Sequence, residues 1–234
     1  MIPQRDLSLL SNRIAKRGGR RIPESVLERD YCLAWLLVGL SRSSLRARLA
    51  FKGGTALKKC YFGDYRLSED LDFTLTEETS WDAIELGFAA AFAETYRASG
   101  IVVRLDHSVK VDITIRERIV LPLEDRAVLR GYDEYRDLPE DAQVRVYSLD
   151  EVAVEKTVAL LDRARNEPRD LYDLWFLTDN GHVRLPDLLG PVVGKLEFRG
   201  VTLAEVSGEF AAKEARYGRL WDVRRSGEPS GRLA

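Results

Sequence analysis

The stretch from Phe51 to Leu75, FKGGTALKKCYFGDYRLSEDLDFTL, leaves this chain the fewest options. A short apolar lead runs into Gly53-Gly54-Thr55, a helical segment follows, and after a turn comes a strand carrying Asp70 and Asp72. Side chains alternate faces along a strand, so Asp70, Asp72 and Thr74 share one side and Leu71, Phe73 and Leu75 the other. The apolar trio can bury itself against helices while the two carboxylates point away together. Held about 6–7 Å apart, two like charges repel unless something positive comes between them. Oxygen ligands on a rigid strand suit a hard divalent cation, Mg²⁺ above all with Mn²⁺ as a substitute, and Mg²⁺ usually brings phosphates with it.

The rest of the chain must supply a core and neighbours for that strand. At 234 residues, 45 % hydrophobic and 32 % charged, it can form one large domain or two modest lobes. Its 36 basic and 38 acidic residues leave a net charge of −2, so no bulk positive field attracts nucleic acid. Any such contact must come from a local patch. Cys32 and Cys60 lie in apolar, helix-like surroundings and read as buried thiols, not as a disulfide framework. The N-terminus carries Arg5 and Asp6 and no apolar signal core, and no run reaches the roughly 18 apolar residues of a membrane span. A cytoplasmic protein without membrane contact is expected.

Residues 1–22 are polar and basic, with Arg13, Lys16, Arg17, Arg20 and Arg21 around Gly18-Gly19. They read as a solvated, partly mobile arm, with an RNA contact as the alternative. Pro23 opens a largely buried helix holding Val26, Tyr31, Trp35 and Val38, and a second short helix is expected over Ser43 to Leu49. Ser80 can cap a helix that Gly100 ends. A strand follows over 101–105, a turn over 106–108, and a second strand from Val109 to Ile115. That second strand puts Val109, Val111, Ile113 and Ile115 on one face and Lys110, Asp112 and Thr114 on the other, which adds a third carboxylate.

Beyond it, Arg116 to Gln143 is charged and irregular, with room for a strand or two and a long loop. Ser148 with Glu151 three places on has the capping-box pattern, and from there to Leu220 the periodicity is helical. The expected fold is α/β (α+β): a lobe over residues 1–145 with a small mixed sheet in its core at 51–145, the basic arm and helices filling 1–50. A helical lobe over 146–225 and a flexible tail at 226–234 complete it.

Two residues need more than propensity. On the helix from Leu149, Lys156 falls near the middle of the stripe formed by Leu149, Val152, Ala153, Ala159 and Leu160. A lysine there either snorkels outward or has an anionic partner. Asp173 lies one turn after Arg169, which allows an exposed i,i+4 ion pair, yet Leu174, Trp175, Phe176 and Leu177 follow it and suggest a partly buried carboxylate.

A Gly-Gly-Thr turn, two aspartates on one strand and a third on another are what phosphoryl or nucleotidyl transfer requires. Glycines let backbone approach phosphate, and free N–H groups opening a helix favour anions. No GxxxxGK[ST] is present, so the P-loop alternative is excluded. The order of glycines, helix and Asp-x-Asp resembles the DNA polymerase β-like nucleotidyltransferases. Gly53-Gly54-Thr55 with Arg66-Leu67-Ser68-Glu69-Asp70-Leu71-Asp72 resembles the first motif of the AbiEii toxins, a family that includes the mycobacterial MenT-type toxins. Lys110-Val111-Asp112-Ile113 with Glu117 is similar to its second motif, Glu155-Lys156-Thr157-Val158-Ala159 to its third, and Arg169-Asp170-Leu171-Tyr172-Asp173-Leu174 to its fourth.

The resemblance implies the toxin of a two-gene system, kept in check by a cognate antitoxin. Such a toxin transfers a nucleoside monophosphate from an NTP to an RNA acceptor, the tRNA 3′ end in MenT-type members, releases pyrophosphate and blocks translation. It implies that Asp70, Asp72 and Asp112 hold Mg²⁺, with Asp112 also placed to help deprotonate the acceptor. Thr55, Ser68 and the Gly53-Gly54 backbone would grip phosphates, Lys156 and Arg66 would pair with the triphosphate, and Asp173 would orient Lys156. Ser68 also reads as a plain turn residue. A monomer is expected. Lys195, Arg199, Lys213, Arg216, Arg219, Arg224 and Arg225 read as a solvated face across which RNA could lie. Two other functions use the same residues differently: a small-molecule nucleotidyltransferase of the antibiotic-modifying sort, and a catalytically dead partner-binding module.

Overall fold

The computed structural model describes residues 2–17, 21–100, 110–162, 167–202, 204–206, 213–214 and 217–218. They fall into two compact units: one runs to Glu117 and takes up again over Leu123–Val146, and the other comprises Arg118–Pro122 and the chain from Tyr147 onward. The expected strand over 101–105, its turn, Val109, His107 and the tail at 226–234 lie outside the described residues.

In the first unit, α1 (Gln4–Lys16) and α2 (Glu24–Ser41) precede β1 (Leu49–Lys52). A short helix, α3 (Gly53–Ala56), follows directly, then β2 (Leu71–Leu75), α4 (Trp81–Ser99), β3 (Val111–Thr114), β4 (Leu123–Ala127) and β5 (Gln143–Tyr147). Among the described residues the strands form a five-stranded mixed sheet in the order β3-β2-β1-β5-β4. β2 runs antiparallel to β1 and parallel to β3, and β1 runs parallel to β5.

The core sits where sheet and helices meet: Phe51, Leu71 and Phe73 are 2 % exposed or less, as are Leu27, Tyr31, Leu33, Ala34 and Leu37 of α2. α4 packs on α2 at Gly39, where a Cβ would stand 2.3 Å from both the Ala91 carbonyl oxygen and the Thr95 hydroxyl. The α4 ends follow local chemistry: the Ser80 hydroxyl accepts from the Ala83 N–H, and Gly100 takes the left-handed conformation at φ 68°.

Several expectations need correcting. The basic arm is not a loose segment over residues 4–16 but the helix α1, because Leu7 and Leu10 share a face that buries to 1 % and 0 %. Arg13 of this helix pairs with Glu134, its Nε 3.1 Å from Oε1. Pro23 stands just before the first turn of α2 and not inside it. The short helix after Ser43 is one 3₁₀ turn over Ser44–Ala47, and Leu49 already belongs to β1. Ile115 leaves β3 and is 67 % exposed. Both thiols are free, and burial pushes Cys32 up to about 11 and Cys60 up to about 12.

The second unit holds α5 (Leu149–Leu161), α6 (Pro168–Asp179) and α7 (Leu189–Phe198). Ser148 caps α5 through the Glu151 N–H, but the reciprocal half of the capping box is missing. The Glu151 carboxylate turns inward, where it accepts from the Val120 and Leu121 N–H groups at 3.1 and 2.9 Å and from Lys195 at 2.8 Å. Burial raises its pKa even though the ammonium and the two N–H groups pull the other way. Lys195 is therefore fully buried and no part of a solvated face. Lys213, 6 % exposed, likewise donates to the Leu160 carbonyl at 3.1 Å. Among the described residues, no helix is long and apolar enough to cross a membrane.

Candidate active site

The site begins where β1 hands the chain to α3. Gly53 sits at φ +80°, a conformation that L side chains rarely adopt. The helix it opens is anchored from below by two consecutive lysines. Lys59 reaches the Asp30 carboxylate on α2 at 2.8 Å, with both side chains 2 % exposed. Lys58 donates to the Gly63 and Tyr65 carbonyls at 3.1 and 3.2 Å, and burial pushes its pKa down to about 8. Adjacent residues can serve such different partners because consecutive helical side chains point about 100° apart, and the helix widens here, the Phe62 N–H bonding the Leu57 carbonyl five residues back at 2.8 Å. The turn held by Lys58 carries straight on to Arg66 and Ser68, both partly buried.

Each glycine of the pair makes room for a charged side chain. A Cβ on Gly53 would stand 2.6 Å from Asp72 Oδ2, and one on Gly54 would stand 2.5 Å from Arg66 Nη2. Thr55 is fully buried, and its hydroxyl donates to the Asp70 carbonyl at 2.6 Å. With its proton committed to the main chain and no exposed surface, Thr55 positions Asp70. Thr55→Val should cost about 1 kcal/mol, the net contribution of a typical hydrogen bond, here to a partly buried carbonyl. Urea denaturation checks this, and stability within about 0.5 kcal/mol of wild type would count against it.

The aspartates come together through sheet register. β2 and β3 run parallel with Asp72 directly beside Asp112, while on the other side Lys52 of β1 stands opposite Asp72. Residues paired across strands share a face, so Lys52, Asp72 and Asp112 form one row. Asp70 precedes β2 by one residue, and its neighbour Leu71 donates to the Lys110 carbonyl at 3.0 Å. Lys110 is thus level with Asp70, and its ammonium reaches Asp112 Oδ2 at 2.6 Å. The Asp112 hydrogen bond and charge raise the Lys110 pKa above the usual lysine range, and Asp70 and Asp72 push it the same way.

Among the described residues, no three His, Cys, Asp or Glu side chains are gathered closely enough to hold a metal ion. The donor set nonetheless fits a hard cation: three oxygen-donating aspartates grouped at one end of the sheet, with a positive charge already drawn onto them. Asp70, Asp72 and Asp112 are the residues that would hold it.

Lys156 and Asp173 belong to the second unit. There Lys156, 8 % exposed, lies 2.6 Å from Asp170 and 2.9 Å from Asp173, themselves 2 % and 0 % exposed. Of the two readings of Lys156, the anionic partner is the one realised. Burial works against its charge, but Asp173 and Asp170 together raise its pKa above the ordinary lysine value. Within this cluster the anions that Lys156 meets are these two carboxylates. Asp173 does not bond Arg169, which lies at the surface 3.6 Å from Glu167. His182 is exposed beside the Phe176 ring, the ring centroids 5.9 Å apart.

Three residues of these clusters were not expected as site residues. Asp170 could have been found from its i,i+3 spacing to Asp173, which puts both acids on one helix face. Lys110 shares a strand face with Asp112, and Lys52 immediately precedes the glycines, but only the strand register tells which carboxylates they meet.

No curated protein sequence matches the chain. Among solved structures, the MenT4 nucleotidyltransferase toxin from Mycobacterium tuberculosis is similar in fold, with a TM-score of 0.51 at 22 % identity. The match covers 74 % of this chain and 64 % of MenT4, so the chain spans somewhat less than two thirds of that protein's length. A family model described as nucleotidyl transferase AbiEii toxin, type IV TA system, matches residues 35–220, which take in the glycine turn, the three aspartates and the Lys156 cluster. With most of its length under that model, the chain belongs to the AbiEii family of nucleotidyl transferase toxins of type IV toxin–antitoxin systems.

Proposed function

We propose that this chain is a divalent-metal-dependent nucleotidyltransferase toxin that moves a nucleoside monophosphate from an NTP to the 3′ hydroxyl of tRNA. The observation that carries the reading is the parallel register of Asp72 with Asp112, with Asp70 at the foot of the same strand. A cation bound there, Mg²⁺ or Mn²⁺, would neutralise triphosphate charge and make the acceptor hydroxyl more acidic.

The chain's own residues do the rest. The Gly53-Gly54 turn lets backbone come close to phosphate, Arg66 lies against Gly54, and Arg66 and Ser68 would serve as phosphate-binding groups. The acceptor oxygen attacks the α-phosphorus, the bond to the bridging oxygen breaks, pyrophosphate leaves, and Asp112 helps take the hydroxyl proton. Family membership supports a toxin with a cognate antitoxin, and the tRNA acceptor is this reading's own addition. Blocked tRNA ends would stall translation in the cytoplasm.

Incubating the chain with each α-labelled NTP and total tRNA tests this reading. Label at tRNA 3′ ends, lost on chelation of divalent cations, is the expected result. Label only on a small-molecule acceptor would instead establish an antibiotic-type transferase, and no transfer with any NTP would leave a partner-binding protein.

A further inference from the structure

Three aspartates at one end of a sheet repel one another, and something must offset that repulsion before any nucleotide arrives. Lys52 stands opposite Asp72, and Lys110 is placed to serve Asp112 in the same way. It is two residues ahead of Asp112 on the same strand face, level with Asp70 through the Leu71–Lys110 backbone bond, and its ammonium lies 2.6 Å from Asp112. Its side chain is 65 % exposed and Asp112 is 50 % exposed. An ion pair this open is held weakly, and the long lysine stem lets the charge swing aside at little cost.

We propose that Lys110 is a resident counter-cation of the aspartate site, seated on Asp112, and that a divalent ion enters only by displacing its ammonium from that carboxylate. The inference rests on the transferase reading above and assigns that site a regulation of its own. Before substrate binds, Lys110 offsets part of the negative charge of the three aspartates and so weakens their hold on free divalent ions. When a metal-bound nucleotide arrives, the displaced ammonium stays on the same strand face, where an incoming phosphate offers it a new anion.

The test is Mn²⁺ binding to the full chain without nucleotide, read from the paramagnetic resonance signal of free Mn²⁺ at constant ionic strength. Circular dichroism on the same samples verifies folding. Lys110→Gln should bind Mn²⁺ about two- to fivefold more tightly than wild type, the range spanned by an exposed ion pair. Lys110→Arg, which keeps the charge, should match wild type. Asp72→Asn should bind more weakly than either. If wild type binds Mn²⁺ and Asp72→Asn does not, yet Lys110→Gln is no tighter than wild type, the Lys110 inference fails and the transferase reading stands. Tightening by Arg as well as Gln would also overturn it. If no chain binds Mn²⁺, or Asp72→Asn binds as well as wild type, the aspartate site itself is refuted and the inference falls with it.

Discussion

Asp72→Asn should abolish nucleotidyl transfer while leaving the fold intact. Asparagine keeps the shape that fits above Gly53, so the close approach of position 72 to the glycine turn survives. What is lost is the central negative charge of the row that links Lys52, Asp72 and Asp112 across three strands. Removing one electrostatic stabiliser of a developing charge typically costs about 10²–10³ in rate, and a cation-holding carboxylate belongs at the upper end. Single-turnover label transfer at saturating NTP, alongside a thermal melt, separates chemistry from folding. Transfer within tenfold of wild type would mean that Asp72 does not hold the cation.

Lys156→Met should have the opposite profile, with the damage falling on stability. The substitution leaves Asp170 and Asp173 buried without the ammonium that both of them contact. Breaking a buried ion pair by removing one partner costs about 3–5 kcal/mol, well beyond what the lysine stem contributes by packing. Urea denaturation would register the loss as a lower midpoint for the helical unit. Adding Asp170→Asn or Asp173→Asn to the variant should restore part of it, because one of the two buried negative charges goes with the carboxylate.

The pH dependence follows from the sign of the shift. A lysine raised above its ordinary value contributes fully below that value and loses its contribution only as pH climbs through the raised one. This cluster should therefore hold steady from neutral pH into the alkaline range. A Lys156 variant that melts like wild type would show that the two carboxylates have other sufficient partners. Loss of toxicity on changing Lys156 says nothing about chemistry until the unfolded fraction is known.

What could be read in advance was mostly local. Ser80 and Gly100 bound α4 because capping depends on a handful of neighbouring residues. The alternation in β2 located Asp72 opposite a buried face because Leu71 and Phe73 leave that strand one way to lie. The pairing of Asp72 with Asp112 was not legible, since each strand shows only its own two faces and the register is a long-range fact.

Charge misled where tertiary structure overrode it. Basic residues hid the Leu7–Leu10 face of α1, and Glu151 had the spacing of a capping residue until a fully buried Lys195 offered it a stronger partner. Lys58 and Lys59 drew no attention because lysines are rarely fully buried, yet both are nearly inaccessible and tie down the glycine-bearing helix.

The tether from Thr55 ends on the main chain of residue 70, not on its carboxyl. Scaffolding and reactivity are therefore separable at that position: the side chain can be edited without cutting the tie. If Asp70 holds the cation as proposed, Asp70→Asn should give an inert, well-folded decoy that keeps whatever outer surface an inhibitory protein recognises.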